Sequence, residues 1–220
     1  MKNQFKKKKR SYSVLVLVAL LKSIRHWVRR EISKQQVKIL LKKKKDISLE
    51  IGSGRKKGSN GWTTLDLSTG CDIYWDLKEG LPFPDNSIRK LYSSHVFEHF
   101  SFSDAEMLFD ECLRVLARGG DFSICVPNAK LFIDAYYKAE EQMDQSKLLA
   151  YKPAFNNVSK LDYINYIAYM DGVHNYMFDE ESLLKRLEIK GFKNVHLRKF
   201  DPLLDLAERE FESIYAQGQK

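Results

Sequence analysis

Apolar and polar positions follow two different periods along this chain, and the change falls near residue 45. Before it, Leu17, Leu20, Leu21, Ile24, Trp27, Val28 and Ile32 recur at i, i+3, i+4 and i+7, the spacing of one face of an α-helix. Lys22, Arg25, Arg29 and Arg30 fall mostly off this stripe. The run 14–21 (VLVLVALL) is far shorter than the ~20 apolar residues that span a bilayer. Bases follow it at once, with no small-residue cleavage site, which sets it apart from a signal peptide. Beyond residue 45 the pattern breaks into short strands. They are predicted at 47–51 (ISLEI), 62–67 (WTTLDL), 71–76 (CDIYWD), 88–93 (IRKLYS) and 122–126 (FSICV), with two more near 194–200 and 211–216.

Two helices stand between the later strands. Ser103 and Glu106 read as an S-x-x-E capping box. It opens a helix with Ala105, Leu108, Phe109, Cys112, Val115 and Leu116 on one face, ended by Gly119 and Gly120. Asp179 is the predicted N-cap of the second, with Phe178 stapled onto Leu183 and Gly191 at its end. Alternating strands and helices predict an α/β doubly wound sheet. Ligands of such sheets sit at the carboxyl ends of the strands. Gly52, Gly54, Asp66, Asp76, Ser94 and His95 all fall along that one edge.

Charge divides the chain at the same point. The 220 residues carry a net +8, but residues 1–45 hold 16 Lys/Arg and one acid, Glu31, for +15, and the remainder is −7. Residues 1–45 therefore read as a basic amphipathic arm and residues 46–220 as the folded domain. Such an arm can lie on an anionic membrane surface, or pack on its own domain. Nucleic acid ranks below both, because aromatics are sparse among the lysines. The three cysteines, Cys71, Cys112 and Cys125, contain no CxxC pair, which supports neither a disulfide framework nor a thiolate metal site.

The stretch HVFEH at 95–99 matches H-x-x-E-H, a zinc-peptidase signature. Its surroundings give it another context. LEIGSG (49–54), GWTTLDLS (61–68), DLKEGLPFPDNS (76–87), SSHVFEHF (93–100), LRVLARGGDFSICVPN (113–128) and ESIYA (212–216) make the chain resemble the class I S-adenosylmethionine-dependent methyltransferases. The resemblance is to their type 11 group and spans roughly residues 47–217. It implies a Rossmann-like doubly wound seven-stranded sheet with an antiparallel last strand, and S-adenosylmethionine as cofactor. It implies that Gly52, Ser53 and Gly54 line the methionine part of the cofactor and that Asp66, beside Leu67, accepts its ribose hydroxyls. Asp76 and Leu77 would border the adenine, and Ser94 and His95 would face the methionine end. Glu50 either joins this acidic edge or braces the loop.

Two positions depart from the family pattern. Lys56 stands where a third loop glycine is usual, and only ten residues, 52–61, separate the first two strands, too few for a crossover helix. No metal is expected. The acceptor pocket is expected between the fifth strand and the last helix, where Tyr136, Tyr137, Tyr151, Phe155, Tyr163, Tyr166, Tyr169 and Tyr176 cluster. His95 and His174 are the candidate catalytic residues, histidine being the side chain that titrates near neutral pH. The expected reaction is methyl transfer to an oxygen of a small-molecule, glycan or lipid-linked acceptor, at the cytoplasmic face of a membrane. Two alternatives stay open: a non-catalytic binding protein on the same fold, and an RNA methyltransferase that uses the arm.

Overall fold

The computed structural model describes residues 2–137 and 159–220, with side chains from residue 14 onward. Seven strands form one sheet: β1 (Ser48–Ile51), β2 (Trp62–Asp66), β3 (Ile73–Tyr74), β4 (Ile88–Ser94), β5 (Leu116–Pro127), β6 (Lys193–Leu197) and β7 (Ser213–Gln219). Their order is β3-β2-β1-β4-β5-β7-β6. The first five run parallel, and β7 is antiparallel to both β5 and β6. The order reverses between β1 and β4, the place where such sheets open a crevice. The described helices are α1 (Lys2–Lys43), α2 (Phe102–Val115), α3 (Ala129–Tyr137), α4 (Leu161–Tyr169) and α5 (Glu180–Ile189).

Inward-facing residues of the central strands, among them Leu49, Ile51, Leu65, Leu91 and Phe122, pack with Leu108, Phe109 and Cys112 of α2 and Leu183 and Leu187 of α5. A smaller cluster joins α3 to α4 through Phe132, Tyr163, Tyr166 and Ile167. All three cysteines are free thiols. As the short spacing requires, a loop rather than a helix connects β1 to β2.

Two helix boundaries differ from the sequence reading. Ser101, not Ser103, caps α2, accepting a hydrogen bond from Asp104 N at 3.2 Å. Glu106 instead meets Lys190 at 3.1 Å and pairs with Arg186, and ion pairs to another helix outcompete a local cap. The helix also stops at Val115, and Gly119 and Gly120 lie inside β5. At the other end of the chain, Asp179 caps α5 as predicted, with Ser182 completing a reciprocal box, and Phe178 and Leu183 are both buried.

The arm is a single helix, about 63 Å long at 1.5 Å per residue, and two of its faces have opposite fates. His26, Arg30, Ser33, Val37 and Leu40 lie on one side and meet the domain. Arg30 pairs with Glu79 at 2.9 Å and lies over the Trp75 ring, His26 contacts the Tyr74 hydroxyl at 3.2 Å, and Val37 is part of the core. The predicted apolar stripe is on the opposite side, and Leu17, Leu20, Leu21, Ile24, Trp27, Val28 and Ile32 are all exposed. No described helix is long and apolar enough to cross a membrane.

Candidate active site

The carboxyl ends of β1, β2 and β4 surround a cleft of about 420 Å³. Gly52 leaves β1 at φ +68, and a Cβ there would lie 2.1 Å from Val96 Cγ2. Only glycine therefore lets this loop pass the turn that follows β4. Gly54, at φ +65, has open space where its Cβ would be, so the backbone is accessible from the cleft. Asp66, ending β2, folds its carboxylate back onto that loop. Oδ2 accepts from Gly54 N at 3.0 Å and Oδ1 from Ser68 N at 2.7 Å. A carboxylate has about four acceptor sites, so two remain for ligand hydroxyls. Asp76 caps the 3-10 turn Leu77–Glu79, accepting from Lys78 N at 2.9 Å. Leu77 and Trp75 add an apolar wall.

Of the predicted cofactor residues, Gly52, Gly54, Asp66, Leu67, Asp76, Leu77 and His95 line this cleft, whereas Glu50, Ser53 and Ser94 do not. The Glu50 carboxylate is 2.9 Å from Lys56 Nζ and borders a separate small pocket with Asn60 and Leu203. The base that replaces the third glycine thus neutralises a nearly buried acid and braces the loop. Ser94 Oγ lies 3.5 Å from the Arg209 guanidinium. Ser68, Trp75, Val96, His99 and Phe100 also line the cleft and were not among the predicted cofactor residues. Val96 and Phe100 carried only a core-like signal, while Ser68 and Trp75 could have been found as neighbours of Asp66 and Asp76.

A second chamber of about 100 Å³ adjoins the cleft and shares His95 and His99 with it. Glu98, Pro127, Tyr166, Ile167, Met170, His174, Arg209 and Glu212 complete its walls. Both candidate catalytic histidines are therefore brought together. HVFEH does not form the zinc-peptidase arrangement. His95 sits at φ 53 and its N–H donates to Cys125 O at 2.9 Å, while residues 97–99 form a separate 3-10 turn. The two histidines of the motif therefore share no helical turn.

Burial shifts four titratable groups of the chamber toward their neutral forms. His95 Nε2 is 2.8 Å from Ser213 Oγ. Burial lowers its pKa to about 3, and the positive Arg209 acts in the same direction. Burial also lowers His174, whose Nδ1 is 2.9 Å from Ile167 O. In the other direction, burial pushes Glu98 up to about 8 and Glu212 up to about 7, with Arg209 opposing in both cases. Of the tyrosines expected at the acceptor pocket, Tyr166 lines the chamber and Tyr163 packs in the smaller core cluster. Tyr136, Tyr137 and Tyr169 are exposed, and Tyr176 lies against Phe102 and Phe178. Tyr151 and Phe155 lie outside the described residues.

A methyltransferase domain family model matches residues 16–124, and all the cleft residues named above fall within that stretch. The chain belongs to the class I S-adenosylmethionine-dependent methyltransferases, type 11 group. Among solved structures, an S-adenosylmethionine-dependent methyltransferase from Archaeoglobus fulgidus is similar at 18% identity and a TM-score of 0.50, over 87% of this chain and 94% of that one. One from Mesorhizobium loti is similar at 17% identity and a TM-score of 0.47, over 79% and 90%. At these identities the likeness is one of fold. No curated protein matches the chain. The methyltransferase cofactor is S-adenosylmethionine, and the cleft suits it: an accessible glycine backbone, a carboxylate with unused acceptor sites at the end of β2, and an apolar wall. In this methyltransferase His95 and His99 stand where the cofactor cleft opens into the chamber.

Proposed function

We propose that this methyltransferase transfers its methyl group to an oxygen of a small-molecule, glycan or lipid-linked acceptor bound in the chamber. The observation that carries the reading is the junction of cleft and chamber at His95 and His99. The bound cofactor supplies an electrophilic methyl on a sulfonium. The chain holds an acceptor hydroxyl in line with it and takes the proton that hydroxyl loses. Two groups suit that task near neutral pH: His174, a neutral imidazole because burial lowers its pKa, and Glu212, at about 7. The decisive experiment incubates the protein with deuteromethyl-labelled cofactor and fractionated cell-envelope lipids, glycans, protein and RNA. A labelled methyl ether in the lipid or glycan fraction is expected. Label confined to a nitrogen, or to RNA, would overturn the reading, and a chain that binds cofactor with no labelled product would favour the non-catalytic alternative.

The exposed stripe of α1 extends the proposal to location. Leu17, Leu20, Leu21, Ile24, Trp27 and Val28 face solvent on a segment whose residues 1–45 carry +15, while the rest of the chain is −7. An anionic bilayer complements both properties. Each base near such a surface contributes ~1 kcal/mol, and the apolar side chains add to this. Full-length protein should sediment with vesicles containing phosphatidylglycerol, and less so as salt rises. A variant lacking residues 1–23, which keeps the face that docks on the domain but loses seven of the sixteen bases and Leu17, Leu20 and Leu21, should sediment markedly less. Equal sedimentation of the two proteins would remove the arm from membrane binding.

A further inference from the structure

We propose that Glu98, His99 and His174 form a binding site for a divalent first-row transition cation at the floor of the acceptor chamber. The inference rests on the methyl-transfer reading for its role, and on geometry for its existence. One potential ligand atom from each residue lies within 4.8 Å of the other two. Metal–ligand bonds of about 2.0–2.2 Å require this set to close by side-chain rotation of about 1 Å.

Three features indicate a ligand set rather than a packed polar cluster. The Glu98 side chain is 2% exposed and neither carboxylate oxygen has a hydrogen-bond partner, although burying a carboxyl without one is costly. The basic groups within 4 Å of it are imidazoles, with His99 Nε2 at 3.8 Å and His95 Nδ1 at 3.7 Å. Each proposed histidine ligand also has its other ring nitrogen on a main-chain carbonyl. His99 Nδ1 lies 3.1 Å from Val173 O and His174 Nδ1 2.9 Å from Ile167 O. A ring that donates through Nδ1 presents the Nε2 lone pair, and such second-sphere bonds are how metal-binding histidines are oriented.

The backbone holds the two halves of the set together. Asn175 N and Tyr176 N donate to Glu98 O at 2.7 and 3.1 Å, and Asn175 Nδ2 donates to His99 O at 2.8 Å. The turn bearing Glu98 and His99 is thereby fastened to the loop bearing His174. Arg209 in the chamber wall opposes a cation, and Glu212 beside it offsets that charge.

Two imidazoles and one carboxylate suit zinc, manganese or iron and leave coordination positions open. All three residues line the chamber, so an acceptor hydroxyl that took an open position would be acidified by the cation. Its proton would pass to Glu212, since His174 would then be a ligand. The set shares Glu98 and His99 with HVFEH but takes its third ligand from His174, in place of His95.

The test uses full-length protein stripped with chelator and titrated with Co2+, followed by its visible d–d absorption, and with Zn2+, followed by calorimetry. One cation per chain is expected, with Glu98→Gln, His99→Ala and His174→Ala each weakening binding by 10- to 100-fold or more. S-adenosylmethionine affinity, measured on the same samples, should be retained in Glu98→Gln and His174→Ala, since neither residue lines the cofactor cleft. Absence of stoichiometric binding by the wild-type chain, or binding unchanged in the three variants, would overturn the site. If cofactor still binds in that case, the methyltransferase reading stands and only the cation is lost.

Discussion

His174→Ala should lower kcat by about 10²- to 10⁴-fold, the usual worth of a group that moves or activates the reacting proton, with the cofactor dissociation constant unchanged. His174 lines the acceptor chamber and is absent from the lining of the cofactor cleft, so its loss should not be felt by the cofactor. Truncating a side chain that is only 6% exposed also leaves a small void. The comparison therefore belongs well below the melting temperature of the variant. The pH profile of the wild-type enzyme adds a second readout. An acid limb near 7 identifies Glu212, which burial raises to about 7, as the proton acceptor. An acid limb below the ordinary histidine range identifies His174, which burial lowers. Wild-type kcat in His174→Ala would exclude the residue from the reaction.

Gly52→Ala is expected to be the most damaging single change at the cofactor loop. The residue sits at φ +68 and its new Cβ would stand 2.1 Å from Val96 Cγ2 and 2.9 Å from Cγ1. Left-handed backbone costs a non-glycine residue roughly 1–2 kcal/mol, and overpacking adds about 1–3 kcal/mol. Together these lower the melting temperature by on the order of 10 °C for a chain of this size. The loop must also shift, so cofactor affinity should fall more than 100-fold. Gly54→Ala separates the two effects. Its φ of +65 carries similar strain, but nothing lies within 4 Å of the added carbon. Stability should therefore fall by only ~1–2 kcal/mol, while the methyl group intrudes on the cleft and binding is lost. Thermal unfolding and calorimetry on both variants check this. A Gly52→Ala protein as stable as wild type would contradict the contact with Val96.

Local pattern determined a good deal about this protein. Strand-length apolar runs ending in Gly52, Asp66, Asp76 and Ser94 imply a parallel sheet with its chemistry along one edge, and the cleft forms there. The ten-residue gap between the first two strands was enough to exclude a crossover helix, because chain length limits what can be built in it. The Asp179 cap was legible because its partners lie within three residues. Tertiary packing decided the rest. Glu50 could border the cofactor or brace the loop, and only the folded chain shows it paired with Lys56 and outside the cleft lining. Ser103 and Glu106 have capping-box spacing, yet Arg186 and Lys190, 80 and 84 positions further along the sequence, claim the acid. The apolar stripe of α1 is real, but the helix docks by its opposite face, since contacts with Glu79, Tyr74 and Trp75 are made by His26 and Arg30. Most of all, His174 reaches Glu98 and His99 across about 75 residues of chain. Periodicity reports which face of an element is buried and carries no information on what is buried against it. Burial without a partner, as at Glu98, exists only once distant segments have packed.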